Sequence, residues 1–512
     1  MTATALPPAI ELTGISKSFG PVKANKDVSL TVAASSIHGI VGENGAGKST
    51  LMSILYGFYE ADAGEIRVRG EARRIRSSSE AIAAGIGMVH QHFMLVEPLS
   101  VVENIVLGAE GAALLKGGIA KARAELARLS QEYGLAIDPD AIVGTLSVGL
   151  QQRVEILKAL YRGAQVLILD EPTAVLTPAE ADQLFELLRA LKAQGKTVIL
   201  ITHKLREIMA VTDRVSVMRR GEMVAHVETE RTSPAELAEA MVGRRVLLRV
   251  EKSPRQRGAP VLEAAGLTVV DERGCETLRD ASLTLHKGEI VGIAGVAGNG
   301  QSELLDVLAG LTQPARGVIR LGGTILNAAD RNPANLRRLG LMHIPEDRLR
   351  TGLVTAFAAA ENAILGYHDD PAFGRGPFLS PTLIEQHARA GMQDYDVRPV
   401  DPTLKTAKFS GGNQQKIVLA REIERAPKVL LVGQPTRGVD IGAIEFIHRR
   451  LIALRDAGVA ILLVSVELEE VMALSDRILA LCGGQITGER EATTTDERDL
   501  GLLMAGVSER AA

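Results

Sequence analysis

The chain has 512 residues, a length that suggests roughly three ordinary domains, and its 58 Lys and Arg against 62 Asp and Glu leave a net charge of -4. That balance supplies no general basic surface for nucleic acid. The two cysteines, Cys275 and Cys482, lack paired spacing, which argues against a zinc site or disulfide framework and suits a reducing compartment.

Residues 10 to 243 alternate short β-branched runs with helical periodicity, the pattern of helices packed on a largely parallel sheet, so an α/β fold is expected. Phe19, early in this stretch, either stacks on a nucleotide base such as adenine or belongs to the core. The apolar run Ile37 to Val41 reads as a buried strand entering the sequence GENGAGKST, Gly42 to Thr50, and a helix is expected over Thr50 to Tyr56. Two glycines separated by four residues, Gly42 and Gly47, followed by Lys48 and the hydroxyls of Ser49 and Thr50, form a phosphate-binding loop. Its backbone N–H groups and the positive end of the helix dipole converge on one small volume. Lys48 would reach the β- and γ-phosphates of a nucleotide, Ser49 would hold magnesium, and the glycines let the backbone approach.

Further along, Ile86 to Val89 leads into MVHQHF, where the amide of Gln91 can reach the metal and report occupancy to a partner. Ala120 to Tyr133 reads as an exposed helical subdomain. The strand Val166 to Leu169 ends on Asp170 and Glu171, a pair suited to holding the metal through its water shell and to orienting or deprotonating the attacking water. Such a pair alone can also be a solvated turn. His203, after the strand Thr197 to Ile201, can bond the γ-phosphate or that water. The longest apolar run, Val459 to Val466, is under half the ~20 residues a membrane helix needs. The N-terminus also lacks a basic stretch followed by an apolar one. A cytosolic chain is therefore expected, with any membrane role arising through a partner.

The plan then repeats. Gly288 to Gly310 reads GEIVGIAGVAGNGQSELLDVLAG; Gly295 falls 253 positions after Gly42, and Ser410 falls 263 after Ser147. A duplication with small insertions explains both offsets. The expected domains are 1–243 and 261–506, joined by a linker over 244–260 and followed by a tail, 507–512. Glu251 to Gly258 is polar and contains Pro254. His368 to Pro381 is expected to be a surface loop.

The run LSVGLQQ places Ser147 24 residues before Glu171, and FSGGNQQK places Ser410 24 residues before Gln434. A serine at that point also caps a helix, which does not explain the order of the motifs. These runs resemble the signature loops of the ATP-binding cassette family, and the resemblance covers nearly the whole chain. It implies two tandem cassettes, each a mixed sheet with a helical subdomain, paired head to tail so that ATP and Mg2+ lie between one phosphate loop and the opposite signature. The second copy departs from the family pattern: Gln301, Gly433, Gln434, Val466, Glu346 and Asp271 stand at the positions of Lys48, Asp170, Glu171, His203, Gln91 and Phe19. It keeps Ser410, Gly411 and Gly412 in its signature, and Asp440, where copy one has Val148 and Thr177. One hydrolytic composite site is therefore expected, joining Lys48, Asp170, Glu171 and His203 to the second signature.

Tandem cassettes on one chain are similar to the ATPase subunits of bacterial simple-sugar and nucleoside importers. IPEDRLRTGL fits the ribose and galactose group, while VHQHFMLVEPLSVVENIVLG and LSVGLQQRVEILKALYRGA resemble the nucleoside branch more closely. The resemblance implies membrane permease subunits as partners, with a contact around Gln91 and Phe93, and a separate extracytoplasmic solute-binding protein. It also implies a peripheral position on the cytoplasmic side of the membrane. A tandem cassette acting on ribosomes would need two intact sites and a long charged arm. A DNA-repair cassette would need zinc-binding cysteine pairs, and a purely regulatory nucleotide module would not need Glu171 and His203.

Overall fold

The computed structural model describes residues 7–90, 93–108, 115–173, 176, 178–245, 252–254, 257–296, 298–375, 378–439 and 441–507. Gln91, Thr177 and Asp440 lie outside them. The chain forms two compact units, Met1–Val246 and Leu247–Ala512.

In the first unit, Ile86–Val89, Val166–Asp170, Thr197–Ile201 and Ile37–Val41 are uninterrupted apolar runs, suited to strands buried on both faces. They lie side by side and parallel; Arg214–Arg219 continues the sheet in parallel beside Ile37–Val41, and Glu222–Glu228 closes it antiparallel. A second, antiparallel sheet orders Val22–Val32, Ile10–Phe19, Ala63–Val68 and Glu71–Arg73. The helix Lys48–Leu55 joins the two sheets into one core through Leu51, Met52, Ile54 and Leu55. Each of these buried side chains contributes ~1.5–3 kcal/mol. The helix begins two residues before the expected Thr50, because the loop lysine and serine already form its first turn.

The helix expected over Ala120 to Tyr133 starts at Leu115, and it is amphipathic rather than exposed. Ala122, Leu126, Leu129 and Tyr133 form a buried stripe at helical spacing, packed against Val101–Val106 and Val148–Tyr161.

The second unit repeats the plan strand for strand. Its six-stranded sheet runs Gln485–Glu491, Arg477–Cys482, Ile290–Ala294, Ala460–Val464, Val429–Gly433, Leu341–Ile344, the order of the first unit. Residues expected in the linker are tied to this unit. Lys252 Nζ donates to the Ser475 carbonyl at 2.6 Å, and the buried Arg455 donates to the Ser253 carbonyl at 3.0 Å. The stretch expected as a surface loop, His368 to Pro381, is partly built in. Phe373 is 2% exposed, edge-on to His387 at 5.0 Å with the Arg425 guanidinium over its ring. A short hairpin, Gly374–Arg375 with Phe378–Leu379, follows.

Candidate functional site

Parallel strands bring their C-terminal ends to one edge of a sheet, where α/β folds hold ligands. In the first unit that edge carries Gly42 after Ile37–Val41, Asp170 at the end of its strand, and His203 two residues beyond Ile201. The phosphate loop wraps closely on itself. Lys48 is 6% exposed, and its Nζ donates to the Gly42 carbonyl at 2.6 Å and the Glu43 carbonyl at 3.0 Å. Burial pushes its pKa down, against the charges of Glu171, Asp170 and Glu43.

Glycine is needed here partly for packing. A Cβ on Gly42 would lie 2.2 Å from the Met218 carbonyl oxygen; Gly47 has φ of 103° and would lie 2.3 Å from the Ala24 oxygen. Ala46 is buried beneath the loop, its N–H donating to the Glu43 carbonyl at 3.0 Å, while Asn44, Gly45 and Ser49 are exposed at the rim and Thr50 is half-buried.

Ser49 stands beside Asp170, whose carboxyl is pushed up by burial and by the Glu171 charge, against the influence of Ser49 and Lys48. Two hard oxygens meeting beside a phosphate loop fit magnesium, which keeps waters and substrate phosphates as further ligands. Glu171 turns out of the strand with φ of 47°, rare for a residue with a side chain. Its N–H donates to the Ile201 carbonyl at 2.8 Å, and its Oε1 meets His203 Nδ1 at 2.9 Å. Burial works to raise the Glu171 carboxyl. The His203 bond and the His203, Lys48 and Lys204 charges outweigh it and hold the group below the usual range.

The antiparallel sheet touches the loop through Asn25, whose Nδ2 donates to the Gly47 carbonyl at 3.2 Å. Phe19 ends a strand of that sheet, 42% exposed, edge-on to Tyr59 at 5.1 Å and with Lys17 Nζ 5.7 Å from its ring centre. It is therefore a surface platform and not a core residue.

In the second unit the signature serine, Ser410, is exposed and caps Gly411–Ile423, accepting from the Asn413 N–H at 3.4 Å. Gly412 is buried. Gly411 has a reason to be glycine, since a Cβ there would lie 2.6 Å from Arg348 Nη2 and 2.9 Å from the Gly438 oxygen. Arg348 also donates to the Arg437 carbonyl at 2.8 Å, so it ties the signature to the loop that follows Val429–Gly433. Arg348 lies within IPEDRLRTGL, where no local pattern marks a role for it; only the fold brings it to the signature.

The ABC transporter family model matches residues 25–174 and 278–437, more than half of the chain. The chain belongs to the ABC transporter family. It is 46% identical to the nucleoside import ATP-binding protein NupA of Lactococcus lactis, over 97% of this chain and 98% of that protein. It is 48% identical to the guanosine import ATP-binding protein NupO of Bacillus subtilis, over 98% of each. The glucose import ATP-binding protein TsgD13 of Haloferax volcanii is 45% identical, over 98% of this chain and 96% of that protein. This tandem-cassette chain is an ATP-binding ATPase subunit of an ABC importer. An importer ATPase acts with permease partners, and no described helix is long and apolar enough to cross a membrane.

Proposed function

We propose that the chain energises nucleoside import by hydrolysing ATP at one composite site. That site pairs the first cassette's phosphate loop and strand-end acids with the second cassette's signature, Ser410 to Gly412. The observation that carries this reading is the gathering of Lys48, Ser49 with Asp170, and Glu171 with His203 at one sheet edge.

Lys48 would leave its loop carbonyls to bond the β- and γ-phosphates, and the loop N–H groups would complete the cradle. Phe19 would stack on the adenine. Ser49 and Asp170 would hold Mg2+, with Gln91 completing the set; the ion supplies charge neutralisation of the phosphates. Glu171 would accept the proton of the attacking water, and His203 would hold the Glu171 carboxylate in place and bond the γ-phosphate. ATP bound across the cassettes would close them, and hydrolysis with phosphate release would reopen them.

The permease contact would be the groove beside Phe93, lined by Tyr56, Phe58, Met88, His90, Met94 and Lys158. Phe58 and Met94 are 48% and 60% exposed, and they suit the apolar face of a partner helix. The chain would then sit on the cytoplasmic face of the membrane, with solute captured by a separate extracytoplasmic binding protein. Nucleosides are the preferred solute because two relatives named for nucleoside or guanosine import match at 46% and 48%. A glucose-import relative at 45% keeps a monosaccharide as the second reading.

Uptake of labelled nucleosides and monosaccharides by cells lacking the chain, complemented with wild type or Glu171→Gln, tests both. Nucleoside uptake restored by wild type alone supports the proposal. Monosaccharide uptake restored instead moves the solute to the second reading, and restoration of neither overturns both.

A further inference from the structure

The phosphate loop of the second cassette has lost its lysine without losing its shape. Gln301 braces it from within: Nε2 donates to the Val296 carbonyl at 2.9 Å, and Oε1 accepts from the Asn299 N–H at 3.1 Å. Val296 aligns with Glu43, one of the two carbonyls that Lys48 holds in the first cassette. Gly300 has φ of 106°, matching 103° at Gly47. The architecture is retained and the positive charge is gone.

The strand-end acid, by contrast, has moved. In the first cassette the loop serine stands beside Asp170, which ends Val166–Asp170. In the second, the Ser302 hydroxyl donates to Glu346 Oε2 at 2.5 Å, while Gly433 ends the matching strand. A Cβ on Gly433 would stand 2.5 Å from Glu346 Cγ and 2.9 Å from the Glu346 backbone nitrogen. With Glu346 placed as it is, a side chain at position 433 would force it to shift. Loss of the side chain at position 433 therefore makes room for a carboxylate arriving at the same serine from the adjacent strand. Leu341–Ile344 and Val429–Gly433 are parallel neighbours, with Ile344 opposite Val432, so the exchange needs no change of topology.

We propose that Glu346 is the metal carboxylate of the second cassette and, with Ser302, holds the divalent cation of a magnesium nucleotide that is retained without being hydrolysed. The proposal rests on the second unit's membership of the cassette family. The two hard oxygens are the donor chemistry Mg2+ takes. Without a loop lysine the cation becomes the main counter-charge to the phosphates, so retention depends on it more steeply than in the first cassette. Turnover is absent because Gln434 stands at the position of Glu171, its Oε1 accepting from the Val466 N–H at 3.1 Å, and an amide cannot take a proton from water.

The test uses the full-length Lys48→Ala chain, which disables the first site, titrated with a fluorescent ATP analogue in Mg2+ or in EDTA, and with Mn2+ followed by electron paramagnetic resonance. One analogue binds per chain in Mg2+ and is lost in EDTA. Adding Glu346→Gln weakens analogue and Mn2+ binding by about tenfold or more, in the range for altered metal-site shells. Gly433→Ala, which presses a methyl group against Glu346 while leaving both ligand residues in the sequence, lowers both in the same direction. Glu303→Gln, a neighbouring carboxylate not bonded to Ser302, leaves both unchanged. The proposal is overturned by absence of divalent-dependent binding, by unchanged or tighter binding in Glu346→Gln, or by an equal loss in Glu303→Gln. The one-site hydrolysis reading is judged separately, by ATPase of Glu171→Gln in the chain that keeps Lys48.

Discussion

Replacing Glu171 by Gln removes one negative charge and almost no volume, and the protein already contains the structural control. Gln434 occupies the matching position in the second cassette with the same φ of 47° and the same 2.8 Å bond to the neighbouring strand, there the Val464 carbonyl. The substitution is therefore compatible with the turn and with folding. The amide oxygen can still meet His203 Nδ1, so the pair observed at 2.9 Å survives in form. What disappears is the ability to take a proton. General-base removal costs ~10²–10⁴-fold in rate, or about 3–5 kcal/mol on the barrier. Phosphate release assays should show that loss in kcat, while nucleotide affinity by equilibrium titration stays within about threefold of wild type, a change of under ~0.7 kcal/mol. Turnover within threefold of wild type, on the same energy scale, would refute Glu171 as the base and leave His203 to be tested in its place.

Phe19→Ala should raise KM for ATP about tenfold, from the ~1–3 kcal/mol of base–aromatic stacking, with kcat nearly unchanged; equal KM values would remove Phe19 from the base-binding surface. Arg348→Met should lower kcat by about tenfold or more with little change in affinity, and Arg348→Lys should recover part of it. Loss of affinity with kcat intact would contradict the positioning role. Acid should weaken both units, because His38 and His343 are buried neutral with pKa lowered from 6.5 to about 4. A histidine depressed on folding is protonated first in the unfolded chain, so its stability contribution is present above pH 6.5 and is lost as pH falls toward about 4. The slope is about 1.4 kcal/mol per pH unit for each, and removing the histidine, as in His343→Leu, should flatten the corresponding part of a thermal-unfolding profile against pH. An unaltered profile would show that these groups do not titrate on unfolding.

Much of the site was legible because its residues cluster in sequence. Gly42 to Thr50 is a contiguous loop, and Asp170 and Glu171 follow an apolar run that only a doubly buried strand explains. Strand assignment at Ile37–Val41 and Thr197–Ile201 agreed to the residue. The alignment of the copies was readable for the same reason. What escaped depended on contacts between distant segments. Position by position, Gly433 reads as a lost acid and Glu346 as a changed glutamine; only the fold shows one side chain filling the space left by the other. Phe373 lay in a Pro- and Gly-rich stretch that reads as loop, yet Arg425 and His387, far along the chain, bury it. Lys252 and Ser253 look like linker by composition, and it is Ser475 and Arg455 that tie them down. The early start of Lys48–Leu55 follows from Gly47, whose positive φ serves as the helix cap.

The most direct test of the central claim is a count of trapped nucleotide. The chain, reconstituted with its permease and turning over α-labelled ATP, is arrested with vanadate and the labelled ADP retained per chain is measured. One trapped ADP per chain, abolished by Glu171→Gln and unaffected by Gln434→Ala, is the predicted result. Two trapped at equal rates would show that the second cassette hydrolyses as well, and would contradict the account.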